Sequence, residues 1–285
     1  MTAASVVIVS FNSGPLLTTC VERALANAAC EEVVVVDNAS SDHCIDPLRA
    51  IGDPRLCIES LPENRGFAVA CNHGAAQSTS PWLVFLNPDA LLEPDTLSRL
   101  LQIVHADATI GLLGADVRDA HGQREAAARR RDPTVSRLVA TQLSRMPGAR
   151  ACAARGLELL PRDEALSEVD AVSGALMLLP RALFERIGGF DEAFFLHAED
   201  LDLCRRVRAT GARVVVANSV AVTHAQGTSS RSRPYFVIWH KHRSLWRYFA
   251  KHEGLRLLSW RGMALLPLLA LRMGAQSLAR GFRRR

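Results

Sequence analysis

Three short stretches hold side chains able to do chemistry. In Leu86-Asn-Pro-Asp-Ala90 a continuous apolar run ends in a turn that presents the Asp89 carboxylate. A hard divalent cation bound to phosphate is commonly held this way, because one or two protein carboxylates suffice when a substrate diphosphate supplies the other oxygens. Asp89 could equally be a helix N-cap ahead of Pro94. A second stretch, Gly188-Gly-Phe-Asp-Glu-Ala-Phe-Phe-Leu-His-Ala-Glu-Asp-Leu-Asp-Leu-Cys-Arg-Arg206, sets Glu199, Asp200 and Asp202 behind an aromatic loop with Phe194, Phe195 and His197. Leu201, Leu203 and Val207 predict a helix running to Ala209, whose first turn would favour acids through its dipole alone. Desolvation and mutual repulsion would also lift a carboxylate pKa toward the range of a general base. His224, in Val222-Thr-His-Ala-Gln-Gly-Thr-Ser-Ser230, opens a polar loop after a short strand. It gains a role in metal coordination or phosphate contact only if that loop returns to Asp89.

Elements must place these groups. Val6 to Phe11, Glu32 to Asp37, Leu56 to Leu61 and Trp82 to Asn87 are short apolar runs, separated by helical stretches near 15–28, 66–78 and 94–106. Their continuous rather than alternating hydrophobicity predicts strands buried on both faces, hence an α/β fold with a mainly parallel sheet flanked by helices. Ligands of such sheets bind beyond the carboxyl ends of the strands, which selects Phe11, Asn12, Asp37, Asn38, Asn87 and Asp89. Ser10-Phe-Asn-Ser-Gly14 is no GxGxxG, which argues against a dinucleotide dehydrogenase.

Further along, a strand at 169–180, a helix at 181–187 and short strands at 214–216 and 220–222 are expected. Between them, from Arg118 to Glu168, the strand rhythm weakens and Pro133, Pro147 and Pro161 punctuate it; this is read as a variable excursion that covers the cleft or meets the acceptor. The catalytic domain is taken as 1–232, and 233–285 as a helical C-terminal region. Pro234 to His252 reads as a helix mixing Tyr235, Trp239, Trp246 and Tyr248 with Lys241, Arg243 and Arg247. Leu255 to Leu271 is broken by Arg256, Arg261 and Pro267, so it suits an interfacial helix, or one packed on the domain, better than a membrane span.

Composition bounds the rest. With 48% hydrophobic and 22% charged residues the 285-residue chain is expected to fold, and its net charge of +5 gathers at Arg129–Arg131 and in the terminal arginines, as an anionic partner or a solvated basic face would explain. The seven cysteines form no CxxC pair and read as reduced, packed thiols. The N-terminal residues show no signal-peptide pattern, so a cytoplasmic location is expected.

Val6 to Asn12, Val35-Val-Asp-Asn-Ala-Ser40, Glu63-Asn-Arg-Gly-Phe-Ala68 with Asn72, Leu86-Asn-Pro-Asp89, Gly174 to Cys204 and His224, in that order, resemble family 2 glycosyltransferases, in particular the bacterial rhamnosyltransferase-like branch. The resemblance implies a GT-A fold and an inverting transfer. It puts Ser10, Phe11, Asn12, Asp37, Asn64, Arg65, Asn72, Asn87 and Glu199 around a nucleotide-sugar, and Mg or Mn at Asp89 with His224. Asn87 replaces the first acid of a strict DxD, and Asp200 matches the general base. The implied donor is dTDP-rhamnose or a UDP-hexose, and the implied acceptor a glycan or lipid-linked oligosaccharide, at the inner face of the cell membrane. No nucleic acid is expected. A nucleotidyltransferase would need a basic, Gly-rich triphosphate loop that Ser10 to Gly14 lacks. A non-enzymatic nucleic-acid or membrane module would rest on the arginine clusters and the aromatic-basic helix.

Overall fold

Continuous apolar runs become the inner strands of a sheet that has nine strands among the described residues. In the computed structural model residues 3–143, 156–159, 164–225 and 234–256 are described, with 262, 263, 265, 266, 269, 273 and 274. β1 (Ala4–Ser10) is buried along its whole length and pairs in parallel with β2 (Cys30–Asp37) on one side and β4 (Trp82–Leu86) on the other. β3 (Leu56–Ser60) extends the parallel half beyond β2. Past β4 the direction reverses at β10 (Leu176–Pro180), which hydrogen-bonds antiparallel to both β4 and β6 (Ile110–Arg118). β11 (Arg213–His224) then runs parallel to β6 and antiparallel to β5 (Ala90–Leu91) and β8 (Leu166–Glu168).

The pleat sorts side chains into two cores. Val6, Ile8, Val33 and Val35 meet Leu17, Cys20 and Val21 of α1 (Leu16–Leu25) and Leu97, Leu100 and Val104 of α3 (Thr96–Ala106). Their neighbours Val7, Val9, Val34 and Val36 face the opposite way, onto α2 (Phe67–Gln77) and into a core shared with α5 (Arg181–Arg186), α6 (Glu199–Ala209) and α7 (Pro234–His252). Burial on both faces is why the runs show no alternation.

Two expectations are corrected. The strand at 169–180 breaks at Ser173-Gly174: β9 (Ala171–Val172) leaves the main sheet to pair with β7 (Arg129–Arg130), and only β10 stays in it. The strands at 214–216 and 220–222 are one strand, β11, with an irregularity between Ala217 and Ala221. The excursion is also more ordered than its rhythm suggests, since its described residues include β7, α4 (Val135–Leu143) and β8; 144–155 and 160–163 lie outside them.

The C-terminal helix packs on the domain. Tyr248 and Phe249 of α7 are fully buried, Lys251 Nζ reaches both Asp191 Oδ2 (2.7 Å) and Asp202 Oδ1 (2.6 Å), and His252 Nε2 meets Asp202 Oδ1 at 2.7 Å. Most of the interfacial segment expected at 255–271 lies outside the described residues. Among those described, no helix is long and apolar enough to cross a membrane.

Candidate active site

The carboxyl ends of the parallel strands are tied together by side chains chosen for turns. Ser10, Asp37 and Ser60 stand in register at the ends of β1, β2 and β3. Asn12, at φ 51°, accepts the amide of Ser41 on Oδ1 (2.8 Å), while its own amide donates to Ser40 Oγ at 3.0 Å. Asp37 Oδ1 accepts the Ser40 amide at 3.1 Å, Ser10 Oγ reaches Ser13 Oγ at 3.0 Å, and the Phe11 amide donates to that same Ser13 hydroxyl. Asn38 accepts the Arg65 amide (2.9 Å) and donates to Asn64 Oδ1 (3.1 Å), which in turn accepts the Gly66 amide. Arg65 is left exposed at the mouth of this edge. Loops after three strands are thus held as one rigid rim.

Asn72, on α2, makes its hydrogen bonds apart from this rim. Its carboxamide accepts the Phe190 amide at 2.9 Å and donates to the Phe190 carbonyl and to Glu192, so its observed task is to pin the Gly188–Glu192 loop.

Beyond β4, the Asn87-Pro-Asp89 turn is anchored by the Asn87 amide, which donates to the Ala175 carbonyl at 3.0 Å. Asp89 is not a helix cap: α3 begins only at Thr96, after Asp95. Its carboxylate faces His224, because β11 pairs His224 opposite Ala90. His224 donates from Nε2 to Asp89 Oδ1 and from Nδ1 to Glu125 Oε1, each at 3.1 Å, and all three side chains are 15–17% exposed. Asn87 Nδ2 lies 3.5 Å from the same Nε2. Burial opposes a charge on the imidazole, but hydrogen bonds and charge from Asp89 and Glu125 outweigh it and push its pKa up to about 10.

The three acids of α6 diverge in role. Asp202, fully buried, is consumed by Arg206, Lys251 and His252. Glu199 is buried with Oε2 lacking a hydrogen-bond partner among the described residues, and burial with the neighbouring Asp200 charge raises its pKa. Burial would raise Asp200 too, but Arg130 pairs directly with Oδ2 and holds that carboxyl below its ordinary range. His197 and Ala198, before the helix, both take φ 66°, and the buried His197 Nε2 has no hydrogen-bond partner among the described residues. Burial first, then Lys241, pushes its pKa down to about 4, so the ring is neutral.

Both regions rest on one turn. Ala175 holds Asn87, and a Cβ on the adjacent Gly174 would lie 3.6 Å from the Asp200 Cβ. The excursion reaches both as well, through Glu125 to His224 and Arg130 to Asp200.

The chain is matched over residues 2–246 by the family model described as glycosyltransferase-like family 2. It belongs to that family. It is 27% identical over 311 residues to the N-acetylglucosaminyl-diphospho-decaprenol L-rhamnosyltransferase of Mycobacterium tuberculosis, a match spanning 98% of this chain and 95% of that one. It is 28% identical over 179 residues to the rhamnosyltransferase WbbL of Escherichia coli, covering 60% of this chain and 62% of the other. Among solved structures, the mannosyltransferase of Pyrobaculum calidifontis in complex with GDP-Man and Mn2+ superposes with a TM-score of 0.61 at 21% identity, over 97% of this chain and 75% of its own. GalNAc-T7 with UDP, GalNAc and Mn2+ gives 0.62 at 17% identity, over 87% of this chain and 48% of its own. The fold is that of GT-A glycosyltransferases.

For this family-2 member, sequence reasoning missed Glu125 and Arg130. Arg129 to Arg131 stood out as a basic run, but each is used internally. Arg129 pairs with buried Asp116 (2.6 Å) and Asn218, Arg130 with Asp200 and the Val172 carbonyl, and Arg131 with the Gly156 carbonyl. The run is therefore no solvated basic face. Among the described residues no group of three or more His, Cys, Asp or Glu is arranged to hold a metal by itself. The donor set of Asp89 and His224 suits a cation that takes most of its oxygens from a diphosphate.

Proposed function

We propose that this glycosyltransferase inverts the anomeric centre as it moves rhamnose from dTDP-rhamnose, or a hexose from a UDP-sugar as second donor, to a hydroxyl of a lipid-linked oligosaccharide or glycan. The observation that supports the reading is that the Asn87–Asp89 turn, whose Asp89 faces His224, and the first turn of α6 with Asp200 both meet the Gly174–Ala175 turn, the former through the Asn87 amide. The relative that aligns over nearly both full lengths is named for L-rhamnosyl transfer to a diphospholipid-linked sugar, which supports donor and acceptor class.

In this reading the rim of Ser10, Phe11, Asn12, Asp37, Asn64 and Arg65 receives the nucleoside, and Asn87, Asp89 and His224 meet the diphosphate. A Mg or Mn ion held by Asp89 and His224 would neutralise charge building on the departing diphosphate. Glu125 orients His224 from behind, as a carboxylate commonly does for a ligating imidazole. Asp200 takes the proton from the acceptor hydroxyl, whose oxygen attacks the anomeric carbon opposite the departing diphosphate; one displacement inverts that centre. Burial and the Asp200 charge raise the Glu199 pKa, so of the two adjacent acids Glu199 is the one that more readily stays protonated. The enzyme works at the inner face of the membrane.

Calorimetry with dTDP, UDP and GDP, each with and without Mg or Mn and beside Asp89→Ala, tests the donor side. Metal-dependent binding of one nucleotide that the variant loses supports the reading, and no binding under any condition overturns it.

A further inference from the structure

The C-terminal region carries charge that the sugar transfer does not use. Residues 234–285 contain eleven Lys and Arg against one acid, Glu253, a net +10; with the whole chain at +5, residues 1–233 carry −5. Such asymmetry suits this region to an anionic partner, with Arg247 and Lys251 already paired to Asp191 and Asp202. Exposed aromatics sit at one end of it. On α7, Ile238, His242 and Phe249 turn into the domain, while Tyr235 (53% exposed) and Trp239 (56%) face outward with exposed Arg243 one turn on from Trp239. Further on, Met263 and Leu266 are exposed whereas Leu265 and Leu269 are buried.

We propose that the N-terminal half of α7 docks on an anionic phospholipid bilayer, with Tyr235 and Trp239 at headgroup level and Arg243, on the same face of the helix, on the lipid phosphates. Amphipathic rings with a polar edge prefer the membrane interface, and each nearby cation adds attraction to an anionic leaflet. The patch also adjoins the candidate acceptor side. The Phe236 ring meets that of Phe195 at 5.7 Å between centroids, His240 stacks on Phe195 at 4.4 Å, and Ser244 Oγ donates to the Leu196 carbonyl at 2.9 Å. Phe195 and Leu196 lead directly through His197 and Ala198 to Asp200. One helix therefore grips the loop ahead of Asp200 and offers its outer face to lipid. The benefit to catalysis, though not the lipid contact itself, rests on the proposed lipid-linked acceptor.

The test is co-sedimentation of the full chain with vesicles of phosphatidylcholine alone or mixed with phosphatidylglycerol, at low and high salt. The Tyr235→Ser/Trp239→Ser double variant changes only exposed side chains, and a melting curve checks its fold. Salt-sensitive sedimentation with the anionic vesicles only, weakened at least about tenfold in the double variant, is expected, since removing two interfacial rings forfeits that much partition. Equal sedimentation of variant and parent overturns the proposal. So does a concentration-dependent dimer that the double variant abolishes, which would give the face to a second copy. Vesicle binding needs neither donor nor metal, so its failure leaves the sugar-transfer reading standing, and loss of transfer leaves vesicle binding intact.

Discussion

Arg130 and Asp200 form an ion pair in which a side chain of the excursion grips the first turn of α6. The pair keeps Asp200 ionised against the cost of burial, ready to accept a proton but weakly basic until the guanidinium moves or shares its bond. Asp200→Asn is expected to keep nucleotide affinity and lose roughly 10²- to 10⁴-fold in turnover, the usual worth of a positioned base. Turnover at the parent level would remove Asp200 from that role. In Arg130→Gln the acid limb of the kcat/KM profile should move to higher pH, because the charge that depresses Asp200 is gone; an unmoved limb would make Arg130 purely structural.

The Asp89–His224–Glu125 chain makes a prediction that reads binding rather than turnover. A ligating imidazole must be neutral, and His224 is held protonated here, so metal-supported nucleotide binding should release a proton. Calorimetry in buffers of different ionisation heat measures that release directly. Glu125→Gln should weaken the metal dependence of nucleotide binding by about 10- to 100-fold, with the melting temperature close to that of the parent. Unchanged affinity would show that Glu125 does not position His224.

Much of this was legible in the sequence, for physical reasons that also mark where legibility stopped. Val6–Val9, Val33–Val36 and Leu83–Leu86 had to be buried strands because both faces are apolar, and the candidate residues lie at their carboxyl ends, where ligands of such sheets bind. Asp89 and His224 were readable as types, yet their meeting depends on β11 pairing with β5 across more than a hundred residues of chain, which no local pattern encodes. Glu125 and Arg130 were hidden differently. They lie where strand rhythm fails, and an arginine that neutralises a distant buried acid looks, in sequence, like one that faces water. Asn72 stood beside the motif it resembles, but its partners lie on a loop more than a hundred residues later.

His224 should also leave a mark on the pH dependence of stability. Its folded pKa, about 10, lies above the ordinary 6.5, so its contribution is complete below 6.5 and is lost as pH rises through 10. Melting temperatures of the metal-free parent and of His224→Gln, followed from neutral to alkaline pH, should differ most at neutral pH and converge toward pH 10. A constant gap would mean that the imidazole is not charged between its two carboxylates.

Gly66 joins the rim at the ends of the parallel strands to the loop ahead of Asp200, and its substitution separates two costs. It sits at φ 91°, and a Cβ there would lie 2.7 Å from the Phe195 carbonyl oxygen, the same oxygen that accepts the Phe67 amide at 2.8 Å. Gly66→Ala must therefore bear backbone strain and also push the Phe195 loop away. Gly52 supplies the control: it too has a positive φ, 67°, but a Cβ would meet nothing within 4 Å. Gly52→Ala should cost about 1 kcal/mol in urea denaturation, the strain alone, whereas Gly66→Ala should exceed it by a further ~1–3 kcal/mol. Because Asn38 donates to the Gly66 carbonyl, nucleotide affinity should fall in Gly66→Ala and hold in Gly52→Ala. Equal losses of stability in the two variants would show that the Phe195 loop yields freely, and that the rim and the acceptor-side loop are not mechanically joined.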